Sequence, residues 1–334
     1  MRRATRSSPA TAGCITRIDA MALTRYEIES CHSTFVKGYS HFIRTTLLWK
    51  LPGKALGVDC AEVWLKLEHL QTAGSFKARG MLNRLLSNPI PASGVIVASG
   101  GNAGIATAAA ARELGVPCEV FVPEVSSLAK RGRLVSLGAR VVVTGAAYAD
   151  ALQACLLRQQ ETGALLTHAY DQSEVLVGAG TLALEIEQQG GVPDSVLVSV
   201  GGGGLIGGVA SWFESRSRVV ALEPEGAPTL YRARLAGQPV DVAVSGIAAD
   251  SLGAQRIGSL AWAATQAHVR EALLLTDASI RAAQLWLWNE LKLAVEPAGA
   301  LPLAALQSSR YAARADEKVC LIVCGANLDP ASLN

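Results

Sequence analysis

Val196-Leu197-Val198-Ser199-Val200-Gly201-Gly202-Gly203-Gly204-Leu205-Ile206-Gly207 reads as a buried strand, a glycine loop and the start of a helix. The apolar run does not alternate with polar residues, which suits a strand covered on both faces. The first N–H groups of the helix, which runs from Leu205 to Glu214, have no intrahelical acceptor. They form an anion site, and a phosphate suits it. Gly202, Gly204 and Gly207 also match GxGxxG, and Glu223 stands 21 residues beyond Gly202 at the end of the next apolar run. That spacing is a dinucleotide fingerprint, so a nicotinamide-dependent oxidoreductase is the competing reading. Four successive glycines make a wider cradle than one tight turn needs, which favours a different phosphate ligand. A plain flexible turn is the third option.

Outward from this stretch, short apolar runs alternate with helical segments. Strands are expected at 61–67, 94–98, 118–122, 140–143, 219–222 and 319–323. Helices are expected near 24–33, 76–86, 127–137, 147–161, 181–189, 277–292 and 298–308, with an alanine-rich one ending near Leu114. This order predicts an α/β fold of open, mostly parallel twisted sheets with helices on both faces. Residues 225–270 carry no clear period. No repeat or linker divides the chain, so a small domain (69–169) is expected to nest inside a large one (23–68 and 170–334).

Half of the 334 residues are hydrophobic, 17% are charged and the net charge is +2. These values exclude a disordered chain and give no basis for nucleic-acid or membrane binding. The seven cysteines are scattered and form no CxxC, which points to reduced thiols and a cytoplasmic protein. Residues 1–22 are rich in Arg, Ser and Thr, with no acid before Asp19. They read as a disordered leader, with an organelle transit peptide as the alternative.

Gly74-Ser75-Phe76-Lys77-Ala78-Arg79-Gly80 places one lysine among apolar and small residues. A desolvated lysine is a nucleophile able to bond an aldehyde. Ser99-Gly100-Gly101-Asn102-Ala103-Gly104, between a strand and a helix, is a second anion nest. It suits a carboxylate, and the Asn102 amide suits a phenolic oxygen; an ordinary helix cap is the alternative. An aldehyde with a phosphate, used on a substrate with a carboxylate, describes pyridoxal phosphate acting on an amino acid.

The segments GSFKARG, SGGNAG, SVGGGGLIGG, VEPAGAL and VCGAN occur in that order between about residue 40 and residue 330. Together they resemble the fold type II (tryptophan-synthase-β-like) pyridoxal-phosphate enzymes. Within these the chain is similar to the serine/threonine dehydratases of the short serine dehydratase type. The resemblance implies a Schiff base on Lys77, Phe76 against the ring and Asn102 on the ring's 3-oxygen. It implies phosphate binding by Gly201, Gly202, Gly203, Gly204 and Leu205, with Ser251 covering the second ring face. Ser99, Gly100, Gly101, Asn102 and Ala103 are expected around the substrate carboxylate. Cys324 falls at the partner of the pyridine nitrogen; a thiol of pKa ~8.5 is too weak an acid to protonate it. The Glu223, Ala227, Thr229 run, with carbonyls of Leu252 and Ala254, is expected to hold a monovalent cation such as potassium. Lys77 is the expected base for the Cα proton. Loss of the β-hydroxyl of L-serine, L-threonine or a related β-hydroxy amino acid, a bulkier or acidic one included, then gives a 2-oxo acid and ammonia. A homodimer is the family expectation, and β-replacement is the runner-up reaction.

Departures from the family pattern also inform. Arg44-Thr45-Thr46-Leu47 replaces Arg-Thr-Pro-Leu, and Ala103 replaces a histidine found in longer threonine dehydratases. Gly100 stands where racemases place a serine as second acid/base, which argues against racemisation.

Overall fold

The computed structural model describes residues 23–333. The expected leader, 1–22, lies outside them. Among the described residues there are ten strands: β1 (Leu48–Pro52), β2 (Glu62–Lys66), β3 (Val95–Ala98), β4 (Cys118–Val122), β5 (Arg140–Val143), β6 (Leu165–Leu166), β7 (Ser195–Ser199), β8 (Arg218–Pro224), β9 (Val269–Leu275) and β10 (Lys318–Ile322). They form a six-stranded sheet in the order β1-β2-β10-β7-β8-β9 and a four-stranded sheet in the order β5-β4-β3-β6. Every pair is parallel except β1 with β2.

All residues of β3 and β7 are buried, as continuous apolar runs demand. Three strands were missed in the sequence: β1 and β9, the edges of the larger sheet, and the two-residue β6, an edge of the smaller one. Edge strands face solvent on one side, so their apolar signal is broken. β1 also ends on Pro52, which can stand at an edge because no further ladder bond is needed there. The stretch without clear period holds two further helices, Thr229–Ala236 and Ser259–His268.

The glycine loop sits at the carboxyl end of β7, next to central β10. The segment after β10 meets the lysine segment: Phe76 N–H donates to Cys324 O (3.1 Å), and Ala326 N–H to Gly74 O (2.9 Å). The chain ends of β7 and β10, and the start of the helix Lys77–Leu86, therefore converge on one point.

That helix is fixed by a buried ionic quartet. Arg79 donates from Nε and Nη2 to Glu68 (both 2.8 Å), and from Nη1 and Nη2 to Glu185 (2.7 and 2.8 Å). Lys66 Nζ donates to Glu185 Oε2 (2.7 Å) and to the Thr46 carbonyl (2.8 Å). None of the four side chains is more than 3% exposed. Glu185, between two cations, is held below the usual carboxylate range. The quartet joins the departing Arg44–Leu47 segment, β2 and the helix Ser173–Gly190 to the lysine helix.

Candidate active site

One cavity is lined by Phe76, Lys77, Asn102, Gly201, Gly202, Gly203, Gly204, Leu205, Ser251 and Cys324, among others. Residues from five separate parts of the chain thus meet around one amine. Lys77 Nζ donates to the carbonyl of Ala169 and lies 5.2 Å from the centre of the Phe76 ring. Burial pulls the lysine down to about 8, against the opposing pull of Cys324 and Glu296. At pH 7 a tenth or so of such amines are neutral, against roughly one in several thousand for an ordinary lysine. Uptake of an aldehyde by the cofactor-free protein is therefore expected to speed up as pH rises through a midpoint near 8. Stopped-flow absorbance checks this, and a midpoint above 10 would mean a solvated lysine.

The glycine loop is shaped for close approach. Gly203 has φ +89° and precedes the helix Gly204–Phe213. A side chain there would lie 2.5 Å from Ile257 and 2.6 Å from Ala261. A side chain on Gly202 would run into the Tyr170 ring at 2.2 Å. Loop and helix start thus present bare N–H groups, backed by the positive end of the helix dipole.

On the other side Asn102 begins the helix Asn102–Glu113. Its Nδ2 lies 2.8 and 3.0 Å from the two carboxylate oxygens of Glu296. Burial lifts Glu296 to about 7. Cys324, buried beside the same acid, is pushed well above the ordinary thiol range and is a neutral S–H.

A family model described as "Pyridoxal-phosphate dependent enzyme" matches residues 39–325. The chain belongs to this family. It is 36% identical over 279 residues to the L-threonine ammonia-lyase of Geobacter sulfurreducens, covering 81% of this chain and 69% of that protein. It is 34% identical to the phenylserine dehydratase of Ralstonia pickettii, covering 80% and 83%. Among solved structures, maize serine racemase superposes with a TM-score of 0.86 at 28% identity, covering 93% of this chain and 96% of that one.

The residues present fit pyridoxal phosphate. The glycine cradle would take its phosphate, Lys77 its aldehyde, Asn102 its phenolic 3-oxygen and Cys324 its ring nitrogen. Ser75 Oγ, next to the lysine segment, is buried without a protein partner. All ten residues expected for the cofactor line the one cavity. Of the nest, Asn102 lines this cavity, and Ser99, Gly100, Gly101 and Ala103 adjoin it in the chain at the start of the helix Asn102–Glu113. Ser99 Oγ accepts from Gly101 N–H (3.3 Å), a local side-chain turn.

Family membership and Glu223 together overturn the nicotinamide alternative. Glu223 is fully buried and accepts from the N–H groups of Leu230 and Tyr231 (both 2.7 Å), at the start of the helix Thr229–Ala236. Both of its oxygens are engaged within the protein. Thr229 Oγ1 lies 2.6 Å from Gly201 O and 2.9 Å from Glu223 Oε1. A hydroxyl has one proton and a carbonyl only accepts, so a proton on Glu223 completes this pair. Burial lifts Glu223 to about 7, which suits that role. Ala227 and Leu252 are buried, and no cluster of three or more His, Cys, Asp or Glu suited to a metal occurs among the described residues.

The sequence reading missed Glu296 and Tyr170, which both line the cavity. Glu296 lies in the quoted VEPAGAL segment, and an acid within that apolar stretch was the available signal. Tyr170 packs edge-on to His168 (4.6 Å, 75°), whose Nδ1 accepts from Asp171 N–H (2.9 Å). His168 is thus a turn-forming residue that braces Tyr170.

Proposed function

We propose that this chain is an ammonia-lyase that eliminates the β-hydroxyl of an uncharged β-hydroxy amino acid, L-serine and L-threonine first, to give a 2-oxo acid and ammonia. The observation that carries this reading is the buried Lys77 amine, set between a phosphate cradle and the Asn102 nest. Pyridoxal phosphate, when bound, supplies the electron sink for the pair left at Cα. Lys77 then takes the Cα proton, since its amine is neutral far more often than a solvated one. N–H groups at the start of the helix Asn102–Glu113 orient the substrate carboxylate. Cys324, as a neutral thiol, leaves the ring nitrogen unprotonated, which favours quick expulsion of a β-group. Gly100 has no hydroxyl to return a proton to the opposite face, so elimination is favoured over racemisation.

Among the described residues the cavity is lined by no arginine and by no lysine except Lys77. A second carboxylate on the substrate would find no cation there. Threonine and phenylserine, after which two of the relatives are named, both have uncharged side chains. The expected outcome is 2-oxo acid and ammonia from L-serine or L-threonine without an added nucleophile. Turnover of β-hydroxyaspartate is expected to be at least about tenfold lower, as for a charge left unpaired. A lactate-dehydrogenase-coupled panel checks both; product only in the presence of a thiol would point to β-replacement instead.

The nested unit 69–169 belongs to this reading, because β3 to β6 all fall within it. So do a homodimer and a cytoplasmic location; no helix among the described residues is long and apolar enough to cross a membrane. Potassium at Glu223, Ala227, Thr229, Leu252 and Ala254 is carried by the resemblance of that run rather than by its donors, since the Glu223 oxygens already face the helix start.

A further inference from the structure

The Asn102 amide sits in a line of hydrogen bonds whose direction is set at both ends. At one end Asn327 Nδ2 donates to Ala73 O (2.8 Å) and to Asn102 Oδ1 (2.6 Å). A backbone carbonyl only accepts, so the amino group of Asn327 must lie on that side. At the other end Asn102 Nδ2 meets both oxygens of Glu296. Whether ionised or not, that carboxyl keeps an oxygen able to accept. The Asn102 oxygen is therefore used by Asn327, and one N–H by Glu296. The second N–H is left for the cavity that Asn102 lines. Glu296 cannot swing away: it is buried, its carboxylate lies against Gly325, and its own N–H donates to Gly325 O (3.1 Å). Asn327 is equally fixed, because the strand-like bridge of Ser75 with Gly325 ties its segment to that of the lysine.

We propose that Asn327 and Glu296 are positioning residues that lock the Asn102 amide as a donor toward the ring 3-oxygen of pyridoxal phosphate and so hold that oxygen as an anion. The proposal rests on the reading of Asn102 as the ring's partner. A donor that cannot flip favours the charged form of the oxygen it faces. Had the amide been free to rotate, it would offer an acceptor half of the time and the preference would vanish.

The test uses the holoenzyme without substrate and reads its absorbance spectrum. Asn327→Asp keeps the shape of the side chain but can only accept, so it turns the Asn102 oxygen toward Glu296 and the cavity. The yellow band of the anionic ring oxygen is expected to fall about tenfold relative to the near-ultraviolet band of the protonated one, the scale of one charge-assisted hydrogen bond. Bound cofactor, measured after alkaline release, stays stoichiometric. Glu296→Met, which removes the acceptor at one end and leaves the amide held by Asn327 alone, moves the ratio less far in the same direction, and Glu296→Gln, which keeps an acceptor oxygen, restores it. An unchanged ratio in Asn327→Asp with cofactor bound overturns the proposal, as does Glu296→Gln behaving like Glu296→Met. If Asn327→Asp does not fold, the Glu296 pair decides alone. A wild-type protein without the yellow band overturns the underlying cofactor reading, a failure separate from a band that is present but indifferent to these variants.

Discussion

Lys77→Ala is expected to abolish the yellow absorbance of the purified protein and to lower 2-oxo acid formation from L-serine by about 10³-fold or more. Two losses combine in this variant. The amine that holds the aldehyde carbon is gone, and so is the base nearest the Cα proton. Among the described residues no second amine lines the cavity, so none of them can substitute. The fold should survive, because Lys77 makes one hydrogen bond, to Ala169 O, and belongs to no ion pair among the described residues. Far-ultraviolet circular dichroism and a spectrum taken with added pyridoxal phosphate separate the two effects. Free cofactor is expected to bind the cradle without colour transfer, and retained activity would mean that another residue does the chemistry.

The second large effect lies two residues along the same helix and acts on stability. Arg79→Met removes the guanidinium that lies between Glu68 and Glu185, both buried. The two carboxylates are then left facing each other with only Lys66 for compensation. Breaking a buried ion pair from one side costs about 3–5 kcal/mol. Against a total of roughly 5–15 kcal/mol, this is a large fraction. Thermal unfolding of the cofactor-free protein is expected to fall by about 10 °C. Adding Glu68→Gln and Glu185→Gln to Arg79→Met should recover part of the loss, because the uncompensated charges are gone. An Arg79→Met melting curve matching wild type would mean that the quartet is not holding the helix.

How far the sequence could be read depended on what kind of signal each element leaves. Central strands such as β3 and β7 are buried on both faces, so a continuous apolar run marks them. Edge strands β1 and β9 are only partly buried, and charged residues (Lys50 in β1, Arg270 and Glu271 in β9) break into their apolar runs. The helix Ser173–Gly190 was expected only over 181–189, a stretch that leaves out Gly178 and Gly180. In the structure they are contact points: a side chain on Gly178 would meet the Arg79 carbonyl at 2.5 Å, and one on Gly180 would meet Ile28 at 2.7 Å.

The site shows the same division. The glycine loop, Lys77 and Asn102 each leave a local pattern, and the resemblance joined them. Glu296 and Asn327 matter only through contacts with a residue about two hundred positions away. Nothing in the spacing of one chain announces such a contact. Glu223 was legible as an acid at a strand end, yet both of the roles foreseen for it, ribose and cation, came from patterns that pass over its local surroundings. In the structure it accepts from the N–H groups that open the next helix, seven and eight residues downstream.

The claim on which the rest depends is that pyridoxal phosphate is bonded to Lys77 and to no other lysine. Borohydride reduction of the purified yellow protein, followed by proteolysis and mass spectrometry, tests it directly. One stoichiometric pyridoxyl-phosphate adduct on the peptide that contains Lys77, and loss of that adduct in Lys77→Ala, is the predicted result. An adduct on Lys66, Lys130 or any other lysine, or none at all from a coloured protein, would contradict it.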